Sequence, residues 1–338
     1  MVRKGRRGEP IVSRRRLVGV LAASTLVGLA SRARPQPVRA RRIGWLWNQP
    51  PIDPADLREM TRLYLGPLGW TEGQNVAIEW RFTGGNANLL PGLAEELVQL
   101  KVELVVAEGT VVALAVKRVT STIPIVVARS GDPVGTGLVA SLARPGSNVT
   151  GTSVISSDLA RKRFQVLHEL LPAAKRVGEL LVPMNPISRT ERTEHQSLMN
   201  SLGMQPIFVD VGEAGQLDNA IAEAARRGAQ VLYVSAEPLL GQNFAQIVRA
   251  AQKYSLPIMG DNSAYLKYGA LISYGPDNDE LQRQLAFVID KVLRGTKPAD
   301  LPVQQPSKFE LGLNLKAARE LGIAIPHSTL LLANTVIQ

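Results

Sequence analysis

Cysteine is missing altogether from the 338 residues. Its absence excludes disulfides, thiolate metal sites, a cysteine nucleophile and a lipid-bearing cysteine behind a leader. Histidine is nearly as scarce, with only His168, His195 and His327, a poor supply for a zinc centre. These three fall on amphipathic helical segments or near the tail, where surface or capping roles are expected. Catalytic signatures are lacking too: there is no Gly-x-Ser-x-Gly elbow, no His-Glu-x-x-His and no phosphate-loop Gly-x-x-x-x-Gly-Lys. The expectation is a protein without enzymatic activity, cofactor or metal.

What is present begins with charge. The net charge of +10 invites a nucleic-acid reading, but its distribution argues against one. Residues 1–40 hold ten basic side chains (Arg3, Lys4, Arg6, Arg7, Arg14, Arg15, Arg16, Arg32, Arg34, Arg39) and one acid, Glu9, and so carry +9. Subtracting this from +10 leaves +1 for the remainder. The basic segment is followed by the apolar run Leu17–Ala30, about right for a signal-peptide core and too short for a membrane span of ~20 residues. Residues 1–40 are therefore expected to be a signal peptide, cut after Ser31-Arg32-Ala33 or Val38-Arg39-Ala40. Ser13-Arg14-Arg15-Arg16-Leu17-Val18 resembles a twin-arginine signal, so the general and twin-arginine export routes both stay open. A periplasmic protein follows from either.

After the leader, short apolar strands alternate with helices. Strands are expected at 42–47, 76–82, 103–107, 123–128, 176–182, 206–211, 230–235, 257–260 and 270–274. Helices are expected at 54–65, 89–100, 110–119, 159–171, 188–202, 216–227, 244–254 and 279–293. This order implies an α/β fold with parallel sheets covered by helices on both faces, in two Rossmann-like lobes. The halves echo one another: Leu104–Gly109, a helix and Ile123–Val126 correspond to Val231–Ala236, a helix and Leu256–Met259. Open parallel sheets bind ligands beyond the carboxyl ends of their strands, so the two sets of loops would share a cleft.

The stretch from Ser130 to Gly151 follows an apolar strand and passes through a glycine-rich loop, a short helical segment and a second loop. Gly135-Thr136-Gly137-Leu138-Val139-Ala140, with Asp158 about twenty residues on, formally fits a dinucleotide fingerprint. The glycines stand too far behind the strand for that use, and we read them as turns. Glu108-Gly109-Thr110 opens a helix. Such an N-terminus either simply caps the helix or holds an anion such as a carboxylate, and the parallel loop Ser130-Gly131-Asp132 favours a ligand role. Asp132 and Asp261 are either turn formers or acceptors for a ligand ammonium. Trp45 and Trp47 share one face of the first strand; Trp47 is either core or a pocket wall.

Longer motifs carry a resemblance. Leu68-Gly69-Trp70-Thr71-Glu72-Gly73-Gln74-Asn75-Val76, Thr120–Val126, Gly131-Asp132-Pro133-Val134-Gly135, Leu142–Gly151, Ile272-Ser273-Tyr274-Gly275-Pro276 and Lys297–Leu311 together resemble the periplasmic substrate-binding proteins of ABC transporters, in the TrpX-like group that includes tryptophan- and tyrosine-binding members. The resemblance runs from about Arg42 to Val336. It implies a type I periplasmic binding fold with three inter-lobe crossings, near Val149–Val154, Ser273–Asp277 and Val303–Lys308. Lobe one would be 42–150 plus 275–303, and lobe two 151–274 plus 304–338. Two departures bear on the ligand: Glu108 stands where many relatives have a small residue, and Val182-Pro183-Met184-Asn185-Pro186 shortens an asparagine-proline pattern.

The resulting expectation is a monomeric solute-binding protein that closes on a small molecule, an amino acid or related compound, and delivers it to an ABC permease. A sensor subunit that engages a receptor is the alternative. No nucleic-acid partner is expected. Expected ligand contacts are Trp47, Asn48, Gly109, Thr110, Ser130, Gly131 and Asp132 from lobe one. Asn185, Glu237, Asp261 and Asn262 come from lobe two, with Ser153 and Tyr274 near the hinge.

Overall fold

The computed structural model describes residues 40–338 except Ile155 and Ala236, and leaves the side chains of residues 156–158 undescribed. The expected leader up to Arg39 and the Asp158 side chain lie outside the described residues. Strands β1 (Arg41–Trp47), β2 (Val76–Phe82), β3 (Leu104–Glu108), β4 (Ile125–Ser130) and β5 (Val149–Ser153) form one sheet in the order β2-β1-β3-β4-β5. Every pairing in it is parallel. Helices α1 (Pro54–Tyr64), α2 (Leu90–Gln99) and α3 (Thr110–Val119) connect its first four strands.

The chain then enters a second body. It contains α4 (Ser156–Leu170), β6 (Arg176–Leu181), α5 (Ile187–Ser201), β7 (Gln205–Asp210), α6 (Leu217–Arg226), β8 (Val231–Val234), α7 (Pro238–Gln242), α8 (Phe244–Gln252), β9 (Ile258–Gly260) and β10 (Ile272–Pro276). Helix α9 (Asn278–Leu293) returns to the first sheet, where Leu285, Val288, Ile289 and Val292 pack against Ile43, Leu104 and Val126. The chain crosses again into β11 (Phe309–Asn314), α10 (Leu315–Glu320), α11 (His327–Leu332) and β12 (Thr335–Ile337). The second sheet runs β12-β11-β10-β9-β8-β6-β7. Each sheet is covered on both faces, so strands such as Val231–Val234 are buried along their whole length and read as continuous apolar runs.

The three passages lie side by side. Ser153 N–H donates to the Gln304 carbonyl and Gln304 N–H to the Gly151 carbonyl, while Asp277 N–H donates to the Lys308 carbonyl. Glu280 on α9 accepts from Ser307 N–H, Ser307 Oγ and Lys308 N–H. This fixes the third passage against the helix that follows the second.

Two expectations need correction. The sheets are not wholly parallel, because β11 runs antiparallel to β10, with Pro276 opposite Phe309. The chain leaves the second body at the end of β10 and re-enters at the same edge, so the returning strand must run the other way. The expected helical segment between Ser130 and Gly151 is absent; residues 131–148 are turns and bends. Asp132 holds the first turn through Gly135 N–H at 2.7 Å, and prolines at 133 and 145 deny donors to a helix.

Gly275 shows how closely the second passage fits. A Cβ there would overlap the Asp261 carbonyl oxygen. Gly275→Ala is expected to destabilise by about 1–3 kcal/mol through this overlap, read as a lowered midpoint in denaturant. An unchanged midpoint would show that the two strands separate freely.

Candidate functional site

The carboxyl ends of β1, β3 and β4 bring Trp47, Asn48, Gly109, Thr110, Ser130 and Gly131 to one edge of the first sheet. Gly109 adopts φ 85°, the left-handed region that glycine enters without a Cβ penalty. This turn lets α3 begin at the strand end, where its free N–H groups and partial positive charge favour an anion. Thr110 Oγ1 and Ser130 Oγ lie 3.0 Å apart and both residues are buried. One hydroxyl donates to the other, so the pair leaves one O–H to add to the helix N–H groups as a donor for the same anion.

The neighbouring loops are spoken for. Asn48 Oδ1 accepts from Thr83 Oγ1 at 2.7 Å, and the Asn48 carbonyl accepts from Gln242 Nε2, on α7 of the other body, at 3.0 Å. Ile187 Cδ1 stands 2.9 Å from where a Cβ on Gly131 would sit. The two bodies thus meet across this edge. Trp47 is half-buried in an aromatic stack with Trp45, Trp80 and Phe82. Glu108 accepts from Trp45 Nε1 at 3.1 Å. Burial raises its pKa against the opposing charge of Arg129 and the indole hydrogen bonds of Trp47 and Trp45.

From the second body, β8 and β9 end in Ser235 and Asp261. Both are buried, and Ser235 Oγ and Asp261 Oδ1 have no hydrogen-bond partner. Glu237, also buried, accepts from Asn185 Nδ2 at 2.5 Å. Burial pushes its pKa up to about 8, aided by Glu191 and Asp261 against the Asn185 bond. Asn262 caps the turn after it through Ala264 N–H at 2.8 Å. Ser153 sits in β5 opposite Ser130, and the Tyr274 ring stacks on Phe309. Neither hinge residue shares a hydrogen bond with Asp261 among the described contacts.

Beneath this floor lies a group that the sequence reading missed. Arg163 of α4, 5% exposed, donates from Nε to the Tyr274 carbonyl at 2.7 Å and from Nη1 to Tyr233 Oη at 3.2 Å. His195 is 2% exposed, which corrects its expected surface or capping role. Its Nδ1 is 2.7 Å from Glu179 Oε1, and its ring packs edge-on against Phe164 and Tyr233. Burial opposes charge on His195, but Glu179, with Glu191 behind it, raises its pKa. Burial pushes Glu191 up to about 7. One signal was legible: Glu179 interrupts the apolar strand Val177-Gly178-Glu179-Leu180-Leu181, and a charge there needs a buried partner. Its partner, sixteen residues away, was not.

The dinucleotide fingerprint is excluded by geometry, since residues 135–140 form turns and no helix follows Gly137. Among the described residues no group of three or more acidic or histidine side chains is placed to hold a metal ion, and no helix is long and apolar enough to cross a membrane.

Two α/β bodies joined by three adjacent passages, with strand ends converging between them, make up the fold of the type I periplasmic binding proteins. The model of the family "ABC transporter substrate binding protein" matches residues 64–337; the chain belongs to this family and serves as the substrate-binding component of an ABC transporter. It is 26% identical over 247 residues to the tyrosine-binding protein of Clostridioides difficile strain R20291, covering 73% of this chain and 70% of that one. The crystal structure of the ABC domain in complex with L-Trp from Streptococcus pneumonia is 28% identical, with a TM-score of 0.81 over 88% of this chain and all of that one. A conserved domain protein from Vibrio cholerae superposes over the same shares at a TM-score of 0.82 and 26% identity.

Proposed function

We propose that the ligand is an amino acid or close relative, captured between the lobes in the periplasm and handed to an inner-membrane permease by a monomeric protein. The reading rests chiefly on Asp261, a buried carboxylate with an oxygen left unpartnered, and on a helix N-terminus bearing two buried hydroxyls. An ammonium suits the first and a carboxylate the second. The tyrosine and L-Trp named for the relatives are of this class. In this reading Thr110, Ser130 and the α3 N-terminus hold the ligand carboxylate, Asp261 and Ser235 hold the ammonium, and Trp47 walls the side chain. Lobe one comprises 42–150 plus 275–303, and lobe two 151–274 plus 304–338. Closure is favoured because only the closed form presents both halves to the ligand at once.

A thermal-shift screen of the L-amino acids, their amides and simple aromatic acids tests the reading. A ligand present at 100 times its Kd stabilises the protein by about 2.7 kcal/mol, so at least one L-amino acid is expected to raise the melting point by several degrees. A screen in which no amino acid does so overturns the reading.

A further inference from the structure

Three buried carboxyl groups, Glu179, Glu237 and Asp261, and the half-buried Glu191 lie in lobe two with two buried basic side chains, Arg163 and His195. His195 is committed to Glu179. Arg163 is committed to the Tyr274 carbonyl and Tyr233 Oη and lies within electrostatic range of Asp261 and Glu191. Full ionisation would leave a buried excess of negative charge, which is costly away from water. Oxygens on Asp261, Glu191 and Glu179, together with Ser235 Oγ, have no hydrogen-bond partner. The Glu237–Asp261 end of this cluster stands at the strand ends where ligand is placed above. Asp261 has Arg163 within range, whereas the groups acting on Glu237 are Glu191, Asn185 and Asp261, none of them a cation.

We propose that the ligand is a cationic primary amine whose ammonium docks on Asp261 and Glu237 and displaces the proton of Glu237, so that capture is coupled to proton release. The proposal rests on the amino-acid reading above and deepens it. In the step, the O–H bond of the Glu237 carboxylic acid breaks, its proton passes to a buffer base, and the carboxylate formed pairs with the incoming ammonium. Charge inside the cleft is balanced by the same event. The groups facing Glu237 are Asn185 from the β6–α5 loop, Glu191 of α5, Asp261 after β9 and, behind Asp261, Arg163 of α4. Tyr265 is in range of Asp261, Arg163 and Arg129, and Arg129 of lobe one is in range of Glu108. The burial that holds Glu237 protonated near neutrality supplies the proton to be displaced.

The test is isothermal titration of the purified protein at pH 7.5 in phosphate and in imidazole, buffers of different ionisation heat that are not primary amines. The probes are L-tyrosine, L-tryptophan and L-lysine, with 3-(4-hydroxyphenyl)propionate and indole-3-propionate as amine-free counterparts. At least one amine is expected to bind with heats that differ between buffers by about 0.5–0.8 proton released per ligand, and its amine-free counterpart to bind at least 100-fold more weakly. Glu237→Gln, which cannot ionise to meet the ammonium, should weaken amine binding by about 30-fold or more and lose the buffer dependence; Glu191→Gln should keep the buffer dependence and lose less than about tenfold in affinity. Amino-acid binding with buffer-independent heats overturns the proton coupling and leaves the amino-acid reading standing. Equal binding of an amine-free counterpart overturns the amine class. Buffer dependence that survives Glu237→Gln, or vanishes only in Glu191→Gln, overturns the assignment to Glu237. Failure of every amine to bind overturns this proposal together with the reading it rests on.

Discussion

Replacing Asp261 by asparagine is expected to lower ligand affinity by at least about 30-fold while leaving both sheets intact. Truncating one partner of a buried, hydrogen-bonded charge pair costs roughly 2–5 kcal/mol, and each 1.4 kcal/mol is about tenfold in Kd. Asparagine keeps the size and one acceptor of aspartate but loses the charge that an ammonium would meet. Arg163, the cation within range of Asp261, keeps its bonds to the Tyr274 carbonyl and Tyr233. The fold should therefore survive, which circular dichroism and a melting curve would verify. Asp132→Asn makes the contrast, because Asp132 Oδ1 is occupied by Gly135 N–H within its own loop; its effect on affinity is expected to stay under about tenfold. Equal losses for the two variants, or none for Asp261→Asn, would remove Asp261 from the site.

The ligand-free protein should lose thermal stability as pH rises from about 5.5 to 8.5. Glu191 and Glu237 titrate in the folded state at about 7 and about 8, against roughly 4.3 for an unperturbed glutamate. Between those values the unfolded chain has released protons that the folded protein still holds, so the folded state binds more protons and stability falls with pH. The fall ends once the folded-state values are passed. His195 acts in the same direction: its raised pKa gives stability that is present below the unfolded value and lost as pH passes the folded one. Each unit of displacement corresponds to about 1.4 kcal/mol, so the melting point should drop by several degrees across the window. Glu280, whose pKa is lowered through Ser307 and Lys308 against desolvation, contributes only at more acid pH. Glu237→Gln should flatten the slope up to about pH 8 and Glu191→Gln up to about pH 7. A melting point that holds level or rises over this range would show that these groups are solvated in the folded protein.

The alternation of apolar strands and amphipathic helices was enough to place most elements within a few residues. Val76–Phe82 and Thr110–Val119 are legible to the residue, because Val76, Ile78, Trp80 and Phe82 alternate with Ala77, Glu79 and Arg81 at the period of a strand and Gly109 marks the helix start. Val149–Ser153 was legible only as a crossing, since threonine, glycine and serine fill it and its partners, Ile125–Ser130 and Gln304, lie elsewhere in the chain. The reversed direction of β11 depended on where the chain re-enters the lobe, which no local pattern encodes.

The site divides in the same way. Gly109-Thr110, Ser130 and Asp261 were visible because strand-end loops in a parallel sheet carry recognisable residue types at fixed offsets. Which of those residues are buried, and what each is bonded to, was decided by packing. Burial against Tyr233, Arg163 and His195, contributed by β8, α4 and α5, turns scattered acids into one coupled group. Composition and pattern alone give the absence of cysteine and of catalytic motifs, a near-neutral body behind a basic N-terminal segment, and two α/β halves. Which carboxyls are deprived of water and which oxygens stay unpartnered depend on neighbours brought together from remote parts of the chain, so neither can be read before the chain is folded.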